Sequence, residues 1–265
     1  MLRALYTSAS GMKAQELSID NTANNIANVN TSAFKRSTIN FADLFYTTLE
    51  QPGTSVSASQ TTPSGLQIGN GTRATSTTKV FTSGTIEQTG FPLDIAIEGD
   101  GFLKVNLPNN ETRFTRAGSL RIDQNGQLVT ADGYPIEPAI SIPDGTSLAQ
   151  LNIAADGTVS APQSGSPSVS NPIGQIQLFR FLNPAGLSSE GGNLYAETPA
   201  SGQEVSGTPG LNGLGNIRQG FLEGSNVEVV TELISLISAQ RAYEVNSRAI
   251  KAGDEMLSTA TDIVR

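Results

Sequence analysis

The feature that most constrains this chain is that both ends carry helical periodicity, whereas the stretch between them is broken by turns every few residues. At the N-terminus Leu2, Leu5, Ala9, Met12, Ile19, Ala23 and Ile26 recur at alternating three- and four-residue steps, interrupted only by Glu16. That spacing predicts a coiled-coil seam on a helix about 40 Å long. At the C-terminus Val229, Leu233, Leu236, Tyr243, Ile250 and Leu257 recur at helical spacing, and the helix is expected to reach Ile263. Ser225 and Glu228, three residues apart ahead of the apolar run, read as a capping box. The fold class expected is α+β: long terminal helices pairing as a coiled coil, with an all-β domain and an extended loop inserted between them. The expected boundaries are 1–32 with 225–265 for the helices, 33–65 for a connecting region and 66–224 for the β domain.

Neither helix reads as self-sufficient. Gly11 and several Ser and Thr residues weaken the first. Val230, Ile234 and Ile237 widen the apolar surface of the second beyond a two-helix seam, and an exposed apolar face implies further partners. Asn21, Asn25 and Asn28 share one face of the first helix, with Asn24 beside them. Asn is a poor helix former because its amide competes for backbone groups. That face is either solvated or used by neighbouring copies. Pairing the two ends also closes a very long loop, which is entropically unfavourable. The helices are therefore expected to be largely disordered in a free subunit and to fold on assembly.

Between the ends, Ala33 to Tyr46 carries Phe34, Phe41, Phe45 and Tyr46 and reads as an ordered turn or short hairpin. Gln51 to Gly65 is rich in Pro, Gly, Ser and Thr without apolar period, and reads as an extended loop. From Leu66 to Leu222 short alternating segments are separated by Asn70-Gly71, Asp100-Gly101, Asn125-Gly126, Asp132-Gly133, Asp144-Gly145, Asp156-Gly157 and Asn212-Gly213. Such pairs supply the positive φ of tight turns. Asp94 to Ile97, Phe102 to Leu107, Ser119 to Asp123 and Gln175 to Phe181 suit strands.

Composition removes most chemistry. The 265 residues include no His and no Cys, so His-based acid–base catalysis, thiol nucleophiles and His- or thiolate-bound zinc are impossible. A net charge of −8 argues against nucleic acid as a partner, because phosphate binding needs a concentrated basic face. Charged residues make up 15%, well below the roughly 25% of ordinary soluble domains, and polar uncharged residues take their place. No apolar run spans a membrane, and the start carries no continuous apolar stretch of the secretory kind. Asp94, Glu98 and Asp100 could suggest glycoside chemistry, but they lie along a strand and in a turn. The glycosylation sequons Asn30-Thr31-Ser32, Asn70-Gly71-Thr72 and Asn110-Glu111-Thr112 are of a kind that often arises by chance. No catalytic residue, metal ligand or cofactor is expected.

The stretch SIDNTANNIANVNTSAFKR, Ser18 to Arg36, and the stretch SNVEVVTELISLISAQRAYEVNSRAI, Ser225 to Ile250, together resemble the paired terminal motifs of the flagellar rod and hook family. PSGLQIGNGTR (Pro63 to Arg73), IAIEGDGFLKV (Ile95 to Val105) and TPGLNGLGNIRQGFLEGSNV (Thr208 to Val227) continue the likeness, toward its rod members. The resemblance implies an inner coiled-coil domain lining a channel and an open helical homopolymer. It implies proximal rod proteins, hook protein and a surrounding ring bushing as neighbours. It places the chain in a rod crossing the periplasm to the outer-membrane ring, exported without a cleaved signal peptide. Asn21, Asn24, Asn25, Asn28, Gln240, Arg241, Phe41 and Tyr46 are the expected contacts with neighbouring subunits. A hook or proximal rod protein of the same family is the nearest alternative, and a secreted β-rich adhesin or glycan-acting protein with coiled-coil ends is the one from another class.

Overall fold

A computed structural model describes residues 2–53, 55–57, 60–61, 63–109, 111–143, 148–163 and 166–263. It resolves into two units, one of residues 1–27, 37–78 and 228–265, the other of residues 28–36 and 79–227. The first holds helix α1, Leu2–Ala27, and helix α2, Val229–Ile263. These pair with each other, so the expected association of the two ends is present within one chain.

The seam between them is built differently from the apolar series. On α2 the inward residues are Glu232, Leu236, Ala239, Asn246, Ile250, Gly253, Leu257 and Ala260. Leu236, Ile250 and Leu257 belong to the expected heptad positions. The partner position lies three residues further on, where the sequence holds Glu232, Ala239, Asn246, Gly253 and Ala260. Leu233 therefore faces outward. On α1 the buried residues are Ala14, Thr22 and Asn25, flanked by half-buried Gly11, Gln15, Ser18 and Asn21. At 100° per residue that face is rotated by about a third of a turn from the expected Leu/Ile stripe. Leu5, Met12, Ile19 and Ile26 are half-buried at its edge, and Ala9 and Ala23 are exposed. Small residues let the helices approach closely. A Cβ at Gly11 would stand 2.9 Å from Asn246 Nδ2, and one at Gly253 would stand 2.7 Å from Leu5 Cδ2.

The capping box does not form as read. Glu228 precedes α2, and its carbonyl takes the first helical bond from the Glu232 N–H at 3.0 Å. The Thr231 hydroxyl donates to the Glu228 carboxylate at 2.9 Å. The Ser225 hydroxyl instead accepts from the Val227 N–H at 3.3 Å.

The described residues between 37 and 78 form a two-stranded ribbon in this same unit. Strand Ser37–Asp43 pairs with Thr72–Lys79, strand Thr47–Glu50 with Leu66–Ile68, and Ser55–Ser57 with Gln60–Thr61. The segment read as a short local hairpin thus pairs with a partner thirty residues away, and within the expected loop residues 55–57 and 60–61 are paired strand, flanked by turns at 52–53 and a bend at 63–64. Pro52 and Gly65 obscured this, while Val56, Thr48 and Thr61 are strand-compatible. Thr54, Ala58, Ser59 and Thr62 lie outside the described residues.

Among the described residues, the second unit is built of strands and turns with two short 3-10 turns. Its largest sheet runs Ile136–Glu137, Leu103–Asn106, Thr112–Thr115, Leu194–Ala196, Ser188–Gly191, all antiparallel. Period-two alternation sends side chains to two cores. Leu103, Val105, Leu194 and Ile136 join an aliphatic core with Ile95, Ile97, Leu120, Leu128, Ile176 and Ile217. Phe114 and Tyr195, opposite each other in register, face an aromatic cluster of Phe102, Phe179 and Phe181. Phe114 and Phe181 meet edge to face at 4.7 Å between ring centres. The turn dipeptides hold positive φ at Gly71, Gly101, Gly126, Gly133, Gly157 and Gly213. Asp144-Gly145 and Asn110 lie outside the described residues.

Candidate assembly interface

Once α2 has turned its seam toward α1, a second apolar stripe remains. Val230, Ile234 and Val245 are 64%, 63% and 63% exposed, with Ile237 half exposed beside them. At 100° per residue these positions fall on the side of α2 opposite Glu232, Ala239 and Leu257. Arg241 lies within the stripe and Gln240 at its margin, both exposed. Val229 and Tyr243 are each about 40% exposed at the seam's edge. The helix thus carries two faces able to bury apolar area. One is used within the chain.

The ribbon presents a second surface. Phe45 is 93% exposed, and Phe41, Tyr46, Leu49, Leu66 and Ile68 are also open. Asp43, Leu44, Phe45, Tyr46 and Arg73 line a shallow concavity of about 530 Å³. A two-stranded ribbon has both edges unpaired and buries little of its own side-chain area. Exposed rings on such a ribbon gain from contact with another surface.

The expected asparagine contacts divide. The Asn25 side chain is buried and spent inside its own subunit. Its Nδ2 donates to the Ser37 carbonyl at 2.9 Å and to Glu232 Oε2 at 3.2 Å, and its Oδ1 accepts from the Ser37 N–H at 2.9 Å. Asn21 Nδ2 donates to the same Ser37 carbonyl at 2.8 Å. These two amides therefore pin the ribbon to the helix pair, a role that periodicity could not assign. Asn24 is exposed, and Asn28 is half-buried and accepts from the Thr31 hydroxyl at 3.2 Å. The Leu2 side chain lies outside what is described.

In the β unit a buried charge cluster went unforeseen. Lys35 Nζ meets Glu223 Oε1 at 2.6 Å and Arg116 Nε meets Glu223 Oε2 at 3.1 Å, all three side chains being at most 1% exposed. Arg116 also donates to the Gly99 carbonyl at 2.7 Å. Burial pushes the Lys35 amine below its ordinary value, the Arg116 charge adds to this, and Glu223 opposes it. Burial raises the Tyr195 phenol to about 12. Ala33 holds a φ of 59°, a conformation that residues with a Cβ seldom adopt, and its N–H donates to the Glu223 carbonyl at 2.7 Å. Lys35 and Glu223 are 188 positions apart, so no local pattern announces the pair.

The carboxylates considered for glycoside chemistry do not converge. Asp94 is buried and accepts from the Thr89 hydroxyl at 2.7 Å and from Arg121 at 3.3 Å. Glu98 is exposed, 3.8 Å from Arg218.

Comparison with known proteins adds an independent line. Residues 5–35 match the family described as flagella basal body rod protein, residues 96–161 the flagellar hook protein FlgE/F/G D1 domain, and residues 218–263 the flagellar basal body rod FlgEFG protein C-terminal. Flagellar basal-body rod protein FlgG of Borreliella burgdorferi is 45% identical, covering 100% of both chains. The protein of that name from Buchnera aphidicola subsp. Schizaphis graminum is 46% identical over 99% of this chain and 100% of its own. That of Bacillus subtilis is 36% identical over the whole of both.

Proposed function

Because the chain belongs to the family of flagellar basal-body rod proteins, we propose that its copies polymerise into an open helical tube, the rigid distal part of the rod. As a member of that family it is a structural subunit of the flagellum and not an enzyme. In the proposed tube the helix pair acts as a coiled-coil layer lining a central channel. Subunits repeat by a heterologous contact that does not close on itself. The tube carries torque from motor to hook. Proximal rod proteins, the hook protein and a ring bushing are its neighbours, and it crosses the periplasm toward the outer-membrane ring.

The observation that carries this reading is the double-faced α2. Its inward face pairs with α1 through Leu236, Ile250 and Leu257 interleaved with small and polar residues, a thin seam for two helices of 26 and 35 residues. Val230, Ile234, Ile237 and Val245 point away. The helices therefore gain much of their stability from neighbouring copies, and in a free subunit they fray or unfold. Gln240, Arg241 and Asn24 lie where those copies would meet them. Phe41, Tyr46 and the rest of the ribbon bridge subunits and set stiffness, as a rigid shaft requires.

Electron microscopy of the purified full-length protein at high concentration tests the proposal. Straight hollow tubes are expected. Curved tubes would move the chain to a hook-like role in the same family. Closed trimers would favour an adhesin, and a monomer with both tails stably zipped and no tendency to polymerise would end the reading.

A further inference from the structure

The β unit is made of two stretches, so four chain ends leave it, at residues 28, 36, 79 and 227. Those at 36, 79 and 227 are bonded to one another through neighbouring residues. The Arg36 N–H donates to Asn226 Oδ1 at 2.7 Å, and the Val80 N–H donates to the Arg36 carbonyl at 3.0 Å. Asn226 Nδ2 donates to the Val80 carbonyl at 2.8 Å, and Lys79 Nζ to the Lys35 carbonyl at 3.0 Å. Lys35 Nζ joins the Thr82 carbonyl to Glu223 Oε1, each at 2.6 Å, and the Gly84 N–H donates to that same oxygen at 2.9 Å.

We infer that Glu223, Lys35 and Asn226 form a mechanical clamp that carries force between the chain ends around the β core. A load entering at residue 28 or 36 and leaving at 79 or 227 meets these bonds first. They lie in parallel and share the load. The aliphatic core, which begins near Leu93 and ends near Ile217, stays outside the shortest path. The choice of a buried ion pair follows from the same demand. Apolar contacts yield gradually under shear, whereas separating Lys35 from Glu223 exposes two unpaired charges in a dry interior before water can reach them. Arg116 holds the second oxygen of the carboxylate from the core side and fixes its orientation. The biological use of such a clamp rests on the torque-carrying role proposed above, but the load path itself does not.

Single-molecule pulling on the full chain tests this, and the absence of cysteine lets introduced cysteines serve as unique handles. One pair, at exposed Asn30 and Glu228, loads the clamp. The other, at exposed Asp132 and Ser189, loads the five-stranded sheet near its two edges. Asn25→Ala is carried in every chain to weaken the parallel route through the helix pair. With Glu223→Gln, the lifetime under a fixed force at the first pair is expected to fall at least about tenfold, with less than about a twofold change at the second. Asn226→Ala, which leaves the ion pair intact, is expected to shorten the first lifetime and spare the second, and it serves if Glu223→Gln does not fold. Equal effects on both pulls would make the carboxylate an ordinary contributor to core stability and overturn the clamp. No effect on the first pull would overturn it too. Neither result depends on whether tubes form.

Discussion

Replacing Val230, Ile234 and Val245 together by serine separates assembly from folding of the β unit. The three side chains are 64%, 63% and 63% exposed in the subunit, so about a third of their burial is already realised. Complete burial of such a side chain stabilises by about 1.5–3 kcal/mol, which leaves about 1–2 kcal/mol for each to gain from a neighbour. If a neighbouring copy covers half of what remains open, the three together contribute about 1.5–3 kcal/mol per subunit. At 1.4 kcal/mol per tenfold, the concentration needed for polymerisation rises by roughly one to two orders of magnitude. Serine differs little from valine and isoleucine in helix propensity, so α2 itself is not the casualty. Sedimentation over a concentration series gives the threshold, and near-ultraviolet circular dichroism follows the aromatic cluster of the β unit. The expected result is a displaced threshold with an unchanged β-unit melt. Polymerisation at the unmodified protein's concentration would refute the assignment of this face.

Three further expectations follow from named groups. Tyr195 has a phenol raised from 10 to about 12, so between those values the folded state keeps a proton that the unfolded chain has released. Its contribution is complete below pH 10 and is lost as pH climbs toward 12, amounting to about 3 kcal/mol; Tyr195→Phe removes that decline, which urea melts at pH 9 and 12 would reveal. Lys35, held below its ordinary value of 10.5, acts with the opposite sign and only up to that pH, so it does not mimic the effect above it. Asn25→Ala removes the bonds to Ser37 and Glu232 and is expected to cost about 2–4 kcal/mol of local stability, while Asn25→Asp sets two carboxylates together and costs more at pH 7 than at pH 4; amide exchange at Ser37 reads both. Deleting residues 51–65 is expected to soften or bend the tube with the subunit fold intact, and straight, rigid tubes from the deletion variant would contradict the role given to the ribbon.

What was legible in the chain followed from short-range rules. The Asx-Gly pairs marked turns because positive φ is a local demand, and Ile95–Glu98 and Leu103–Asn106 announced themselves by alternation. The terminal helices were legible in type and extent. The faces they use were not. An apolar heptad was taken for the internal seam; Leu236, Ile250 and Leu257 do face inward, but close approach at Gly11 and Gly253 favours small residues at the alternate positions, and Val230, Ile234 and Val245 are left outside. Hence the Leu233 and Ala23 positions were read inward and the Asn25 position outward. The ribbon and the Glu223 cluster depend on partners tens to hundreds of residues apart, which neither propensity nor periodicity encodes.

Thiol protection at single cysteines probes most directly whether a neighbouring copy covers the outer face of α2. In a chain otherwise free of cysteine, Ile234→Cys should react readily with a small alkylating reagent in dilute subunits and become strongly protected in tubes, whereas Asp132→Cys on the β unit stays reactive in dilute subunits. If the cysteine at 234 reacts as fast in assembled material as in the free subunit, that face contacts nothing, and the account of how this chain builds a shaft is wrong.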